Sequence, residues 1–421
     1  MTYEQVTLAI KQVLEESMKS PCLDAFHEHA RLNEDLYLDS VLVLQLMLHL
    51  ELDLGVKVPD ENLSKKDYET VASLASFIVG LANESEVSVD ETSMESEEFE
   101  DVKVHCFVSC VCESLKRAGI DHRPFYFGVW DAEFTVTDNY HLRYHSDDVD
   151  HRVFRDWYKR LYGGDLIAWY EGSKSKNDNI ETMMTLLAGK PNSMPLMVML
   201  DMYQLPEREN KFSQNPFPHY VLLQQGSRPN TFMMSDPDFR WEGEIDSDRV
   251  INAIAQPTVA GGYYFDAKVL HSANDEDIKA YFELCFTSKN RPLNDAIKSI
   301  LIYYVQGEGV SSLGELSQAL REIKVIAVRK YAYEHGFAFF WRALGLPDDE
   351  FEHWCDVVEE LVQTYSNVQY QVMKLAQTEN TELVKGIYTL LEKQEKTENK
   401  IRARLYEAYM DWCEFTFSTV C

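Results

Sequence analysis

The sequence lacks any stretch of eighteen or more apolar residues, so no membrane-spanning helix is expected. Its start, Met1-Thr2-Tyr3-Glu4-Gln5, has neither the basic residues nor the apolar run of a secretory signal. Internal repeats are missing too. Cysteine is sparse: eight residues scattered over 421 do not make a disulfide framework, and a reducing cytoplasm is the expected compartment. Neither a paired C-x-x-C set nor an H-E-x-x-H helix is present, so no metal site is expected. This holds although His105, Cys106, Cys110 and Cys112 lie close together, as do His141, His145, Asp147, Asp148, Asp150 and His151. Basic charge is also scarce. With 40 Lys and Arg against 70 Asp and Glu, the net charge is −30. Such a surface repels nucleic acid and anionic membranes and attracts cationic partners, polyamines among them.

What is present is the composition of a folded chain: 45% hydrophobic and 12% aromatic residues, in a length that suits two or three domains. The segment 84–101 holds nine acidic residues, four serines and one threonine. It cannot bury a core and reads as a solvated linker. It separates a helical piece, 1–83, from a larger piece, 102–421. In the first, Val6, Ile10, Val13 and Leu14 give one apolar face to a helix over 3–18 that Pro21 stops. Further helices are expected from about Ser40 to Leu52 and from about Tyr68 to Leu81. In the second piece a helix is expected from Cys106 to Arg117. Strands are expected at 125–129, 134–137, 196–200, 219–223 and 231–234, and nearly all helix from 274 onward.

Ser40 opens a helix in the run Asn33-Glu34-Asp35-Leu36-Tyr37-Leu38-Asp39-Ser40-Val41-Leu42. A serine does well as a helix N-cap, and amide donors at a helix start also favour a phosphodiester. The Asp39-Ser40 pair resembles the attachment site of acyl and peptidyl carrier proteins. The preceding amphipathic helix, the exit Leu54-Gly55-Val56-Lys57-Val58-Pro59 and Thr70-Val71-Ala72-Ser73-Leu74 match as well. The resemblance implies a four-helix bundle with 4′-phosphopantetheine esterified to Ser40, hence a phosphopantetheinyl transferase and an acyl-activating (adenylating) ligase as partners. One departure stands out: the family places Gly two residues before the Asp, where this chain has Tyr37.

A nucleophilic thiol needs a base nearby and donors for the developing oxyanion. Cys106 sits where a helix begins, so its first amides are placed for both thiolate and oxyanion. His219 opens an apolar strand, and the next strand leads into Ser235-Asp236-Pro237-Asp238. Paired, those strands bring Asp236 beside His219, where it fixes the imidazole tautomer. Asp201 competes for that role and ranks second. His105-Cys106, Tyr126-Phe127-Gly128, Leu200-Asp201-Met202-Tyr203-Gln204-Leu205-Pro206 and the His219–Asp236 pair resemble the butirosin biosynthesis H-type acyltransferases, which have a papain-like domain.

The whole arrangement is similar to an aryl carrier and a condensing protein of petrobactin biosynthesis joined in one chain. The fold class implied is multidomain α+β: carrier 1–83, linker 84–101, papain-like acyltransferase core 102–273 and helical region 274–421. The activity implied is transfer of a 3,4-dihydroxybenzoyl-like acyl thioester through Cys106 to a primary amine of a polyamine such as spermidine. Carboxylates would hold the distal ammonium groups, with Asp131 and Glu133 as candidates and Trp130 adding cation–π attraction. Aminoglycosides or other amines are alternative acceptors. Competing classes are a cysteine peptidase and a non-catalytic carrier scaffold. The amphipathic helices beyond 274 are expected to pack in the core, cover the acceptor cleft, or pair two copies as a homodimer.

Overall fold

The structure, a computed structural model, describes residues 1–20, 23–33, 35–38, 40–56, 68–83, 104–146, 149–191, 193–208, 215–287, 290–306 and 312–418. The acidic segment 84–101, Pro21, Asp39 and two residues of the second His/Asp cluster, Asp147 and Asp148, lie outside the described residues.

The N-terminal piece contains three helices among the described residues, α1 (Tyr3–Gln12), α2 (Ser40–Leu54) and α3 (Val71–Asn83). A fourth helix is not among them; 57–67 lie outside the described residues. Thr2 starts α1 through a capping box with Gln5, satisfying two amides that a helix start leaves open. Instead of running straight to Met18, α1 passes into a π-helical turn over Val13–Ser17. Val6, Ile10, Leu46, Leu50, Leu74 and Ile78 fill the core between the three helices. Tyr37 has φ 53°, in the left-handed region where a side chain is strained and glycine is not.

In the larger piece α4 (Cys106–Arg117) packs on a six-stranded antiparallel sheet of β3 (Ile167–Ala168), β4 (Leu196–Asp201), β5 (Pro218–Gln225), β6 (Thr231–Asp236), β7 (Trp241–Asp246) and β8 (Gly262–Tyr264), in the order β3-β8-β4-β5-β6-β7. A separate pair, β1 (Thr135–Val136) and β2 (Leu142–Arg143), lies before α5 (Arg152–Tyr162). The period of two sorts the sheet's side chains. Met197, Met199, Tyr220 and Leu222 face the core shared with α4, while Leu196, Val198, Val221 and Leu223 face α6 (Lys176–Gly189) and α7 (Ser247–Ile254).

One expectation fails. Residues 125–129 are not a strand; Arg123–Gly128 form a 3₁₀ turn. Pro124 presets φ at its second residue, and Phe125, Tyr126 and Phe127 are all buried, so the apolar run is not one face of a sheet. Gly128 is required there, because a Cβ would collide with the Tyr281 hydroxyl.

From Asp275 onward the chain is helical: α8 (Asp275–Cys285), α9 (Pro292–Gln306), α10 (Leu316–Ala319), α11 (Ile323–Ala327), α12 (Ala332–Leu344), α13 (Asp348–Thr378) and α14 (Leu383–Phe417). The apolar faces of α13 and α14 pack inward, with Leu361, Tyr365, Val368, Ile401 and Leu405 in the same core as Phe107 and Val111 of α4. That core runs without a break across position 274. The N-terminal bundle rests on α13, whose Tyr370 enters the bundle's core and donates to Glu51 of α2, while Lys374 pairs with the same carboxylate. No helix among the described residues is long and apolar enough to cross a membrane.

Candidate active site

Cys106 is the first residue of α4 and is partly buried. His105 before it is extended, at φ −170°, and its side chain does not cap the helix. The cap comes from 133 residues away: Asp238 Oδ1 accepts from His105 N–H at 3.1 Å, from Val104 N–H at 3.2 Å and from the Ser109 hydroxyl at 2.7 Å. A carboxylate at a helix start satisfies orphan amides and favours the dipole. It also fixes the turn that carries the thiol.

His219 is the second residue of β5 and Asp236 the last of β6, adjacent antiparallel strands. His219 Nε2 lies 3.0 Å from Asp236 Oδ1, and the other carboxylate oxygen accepts from Arg208 Nη2 at 2.9 Å. All three side chains are buried. Phe217 and Phe239, with ring centroids 5.5 and 5.1 Å from the imidazole, hold its plane. Cys106 is close enough to the ring to act on its charge. Burial alone would lower the imidazole pKa, but Asp236 and then Cys106 hold it well above its ordinary value. An imidazole between a carboxylate and a thiol can take and return the thiol proton.

Asp201 does not reach the imidazole. Its Oδ1 accepts from Phe217 N–H at 2.8 Å and Tyr203 N–H at 3.1 Å, and its Oδ2 from Gln204 at 3.0 Å. It caps a 3₁₀ turn and ties β4 to the start of β5. Cys110 and Cys112 lie further along α4 in the apolar core, where burial pushes both thiols up. Ser40 is the first residue of α2.

Trp130, Asp131 and Glu133 line a cavity of about 300 Å³ together with His105, His151 and Phe154. Two details correct the expectation for them. Asp131 already binds Lys330 at 2.9 Å and Arg402 at 2.6 Å, so its charge is neutralised within the fold. Trp130 is buried and stacks on Tyr333 at 5.0 Å, which covers one face of its indole. Glu133 remains an exposed carboxylate of the wall, and Asp150 joins it there. The two imidazoles are uncharged: burial, aided by Arg329 and by neighbouring histidines, depresses His105, and burial, His145 and Arg329 bring His151 down to about 3.

Arg208, Asp238 and the C-terminal Arg329 escaped the sequence reading. Only Asp238 left a signal, as a second acid two residues after Asp236.

Helix-borne thiol, strand-borne imidazole and buried carboxylate thus stand in one chain with a separate helical bundle that begins a helix at serine. Comparison with known families agrees with this division. Residues 9–78 match the phosphopantetheine attachment site, 101–270 the DUF6005 N-terminal domain and 276–420 the DUF6005 C-terminal domain. The chain is 39% identical over 314 residues to a petrobactin synthase of Bacillus anthracis, covering 74% of this chain and 96% of that protein. It is 34% identical over 90 residues to the acyl carrier protein AsbD of Bacillus anthracis, covering 21% of this chain and 99% of that one. The protein is therefore a carrier domain fused to a region similar to a petrobactin synthase, and the carrier is a site of 4′-phosphopantetheine attachment. It belongs to the DUF6005 family.

Proposed function

We propose that this chain is a carrier-dependent N-acyltransferase of siderophore biosynthesis, with phosphopantetheine on Ser40 and a papain-like thiol site at Cys106, His219 and Asp236. We divide it into carrier 1–83, linker 84–101, acyltransferase core 102–273 and helical region 274–421. The observation that carries the reading is the buried Asp236–His219 pair, 3.0 Å long, with Cys106 at the start of α4 among the groups acting on the imidazole.

In this reading His219 accepts the Cys106 proton and the sulfur attacks the carrier thioester. The acyl–pantetheine C–S bond breaks, and the departing sulfur takes the proton back from His219. A primary amine then attacks the acyl-cysteine: a C–N bond forms, the acyl–Cys106 bond breaks, and the amine proton passes through His219 to the Cys106 sulfur. The amides at the start of α4 face the developing oxyanion, a contribution of about 3–4 kcal/mol per donor in comparable sites. Tethering the carrier to the enzyme keeps the loaded arm at high effective concentration.

The acceptor is a polyamine such as spermidine, its reacting end neutral beside the uncharged His105 and His151, its distal ammonium drawn by Glu133 and Asp150. The acyl group is a dihydroxybenzoyl-like unit supplied by an adenylating ligase, in keeping with the similarity to a petrobactin synthase. The test is reconstitution of the full chain with a phosphopantetheinyl transferase, an adenylating ligase, 3,4-dihydroxybenzoate, ATP and spermidine. The amide is the expected product, lost in Cys106→Ala. Equal amide formation by Cys106→Ala contradicts the covalent route, and thiol-dependent peptide cleavage in its place would make the chain a peptidase.

A further inference from the structure

Two consecutive cations, Arg329 and Lys330, are buried on the 3₁₀ turn Val328–Tyr331 between α11 and α12. Lys330 is neutralised by Asp131 at 2.9 Å and Glu398 at 2.8 Å. Arg329 makes no ion pair with a described residue. Its Nη1 donates to the backbone oxygens of Ala132 at 3.1 Å and Glu133 at 2.9 Å, and its Nη2 to that of Tyr144 at 3.2 Å. A buried charge without a counter-charge is costly, and carbonyl dipoles offset only part of that cost.

The place of this charge is informative. Ala132 and Glu133 line the cavity beside His105, and the Tyr144 hydroxyl donates at 2.8 Å to the oxygen of Pro218, the residue before His219. Arg329 therefore ties a backbone segment of the cavity beside His105 to one that is bonded to the residue before His219. The ionisable groups acting on it or beside it are Cys106, Tyr144, Asp238, Glu322, His105 and His151. The two carboxylates among them are engaged elsewhere, Asp238 with the start of α4 and Glu322 with Arg143 and the Tyr144 amide. Burial lowers the guanidinium pKa to about 10 and leaves it charged at neutral pH, with Cys106 the foremost group opposing that shift.

We propose that Arg329 is a positioning residue whose fixed positive charge favours the negative states of the thiol site, the Cys106 thiolate and the tetrahedral oxyanion. The inference rests on the reading of Cys106 as nucleophile. It gives the C-terminal helical region a part in the chemistry beyond packing.

The test compares Arg329→Gln, which removes the charge, with Arg329→Lys, which keeps it, in the full-length, phosphopantetheinylated and acyl-loaded chain. Single-turnover acylation of Cys106 is read by peptide mass, and the acceptor KM is read separately with spermidine. Arg329→Gln is expected to slow acylation about 100-fold and Arg329→Lys less than about 10-fold, with KM unchanged in both. Equal losses in the two variants, or a change in KM alone, would overturn the proposal. If Arg329→Gln does not fold, a His219→Ala protein carries the test. With its imidazole gone and Arg329 in place, Cys106 should still react with iodoacetamide at pH 7 faster than free cysteine; a rate no faster overturns the proposal. An absence of acyl-Cys106 in the unsubstituted chain sinks the nucleophile reading instead.

Discussion

Asp236 divides its two oxygens between His219, 3.0 Å from Oδ1, and Arg208, 2.9 Å from Oδ2, with all three side chains out of solvent. The carboxylate is thereby held at both oxygens. Asp236→Asn keeps the shape but weakens the hold on the working tautomer, so acylation of Cys106 should fall about 10³- to 10⁴-fold in single-turnover assays. Arg208→Met, which frees Oδ2, is expected to cost about 10-fold. A loss below threefold in Asp236→Asn would remove Asp236 from the mechanism.

Asp238 ties the start of α4 to the β6–β7 connection through three hydrogen bonds at one oxygen. Asp238→Ala opens two amides and a hydroxyl in a partly buried place. Hydrogen bonds to charged groups contribute about 1.5–3 kcal/mol, and a cap about 1. The variant should be less stable by about 2–3 kcal/mol in urea denaturation and should acylate Cys106 more slowly. An unchanged urea midpoint would show that the cap is not stabilising.

The pH dependence of stability follows from His219. Its pKa is raised in the folded chain, because Asp236 and Cys106 outweigh the effect of burial. The folded state then binds the proton more tightly than the unfolded chain does. That stability is fully present below about pH 6.5 and is lost as pH rises through the folded value. The stability difference between the unsubstituted protein and His219→Gln should therefore shrink between pH 6 and pH 9. A difference that grows over this interval means the imidazole is buried uncharged.

Tyr37, exposed and at φ 53°, stands two residues before Asp39, where carrier proteins place glycine. Left-handed backbone costs a side chain about 1–2 kcal/mol, and glycine's greater freedom when unfolded offsets part of the gain. Tyr37→Gly should raise stability by about 0.5–1 kcal/mol, read as a higher melting temperature. A lower one would mean that the tyrosine ring makes up for the strain.

The departure at Tyr37 was visible in the sequence, and so was much else that depends on local pattern. Short apolar runs marked β4, β5 and β6, and a hairpin joining β5 to β6 was enough to place Asp236 beside His219. Helical periodicity likewise marked α13 and α14. The failures have a common physical origin. At 125–129 an all-buried aromatic run has no period to distinguish a strand from a tight turn. Arg208 and Arg329 reach the site by long-range packing, and neither carries a local motif. Asp131 read as a free carboxylate because nothing near it in sequence announces Lys330 and Arg402.

The most direct measurement is peptide mapping of the acyl-loaded chain without an amine acceptor, quenched in acid within seconds. The thiol mechanism requires the acyl mass on the peptide containing Cys106 as well as on the pantetheinylated Ser40 peptide, and its discharge from Cys106 when spermidine is added. Acyl mass confined to the Ser40 peptide, together with undiminished amide formation after Cys106→Ala, would contradict it.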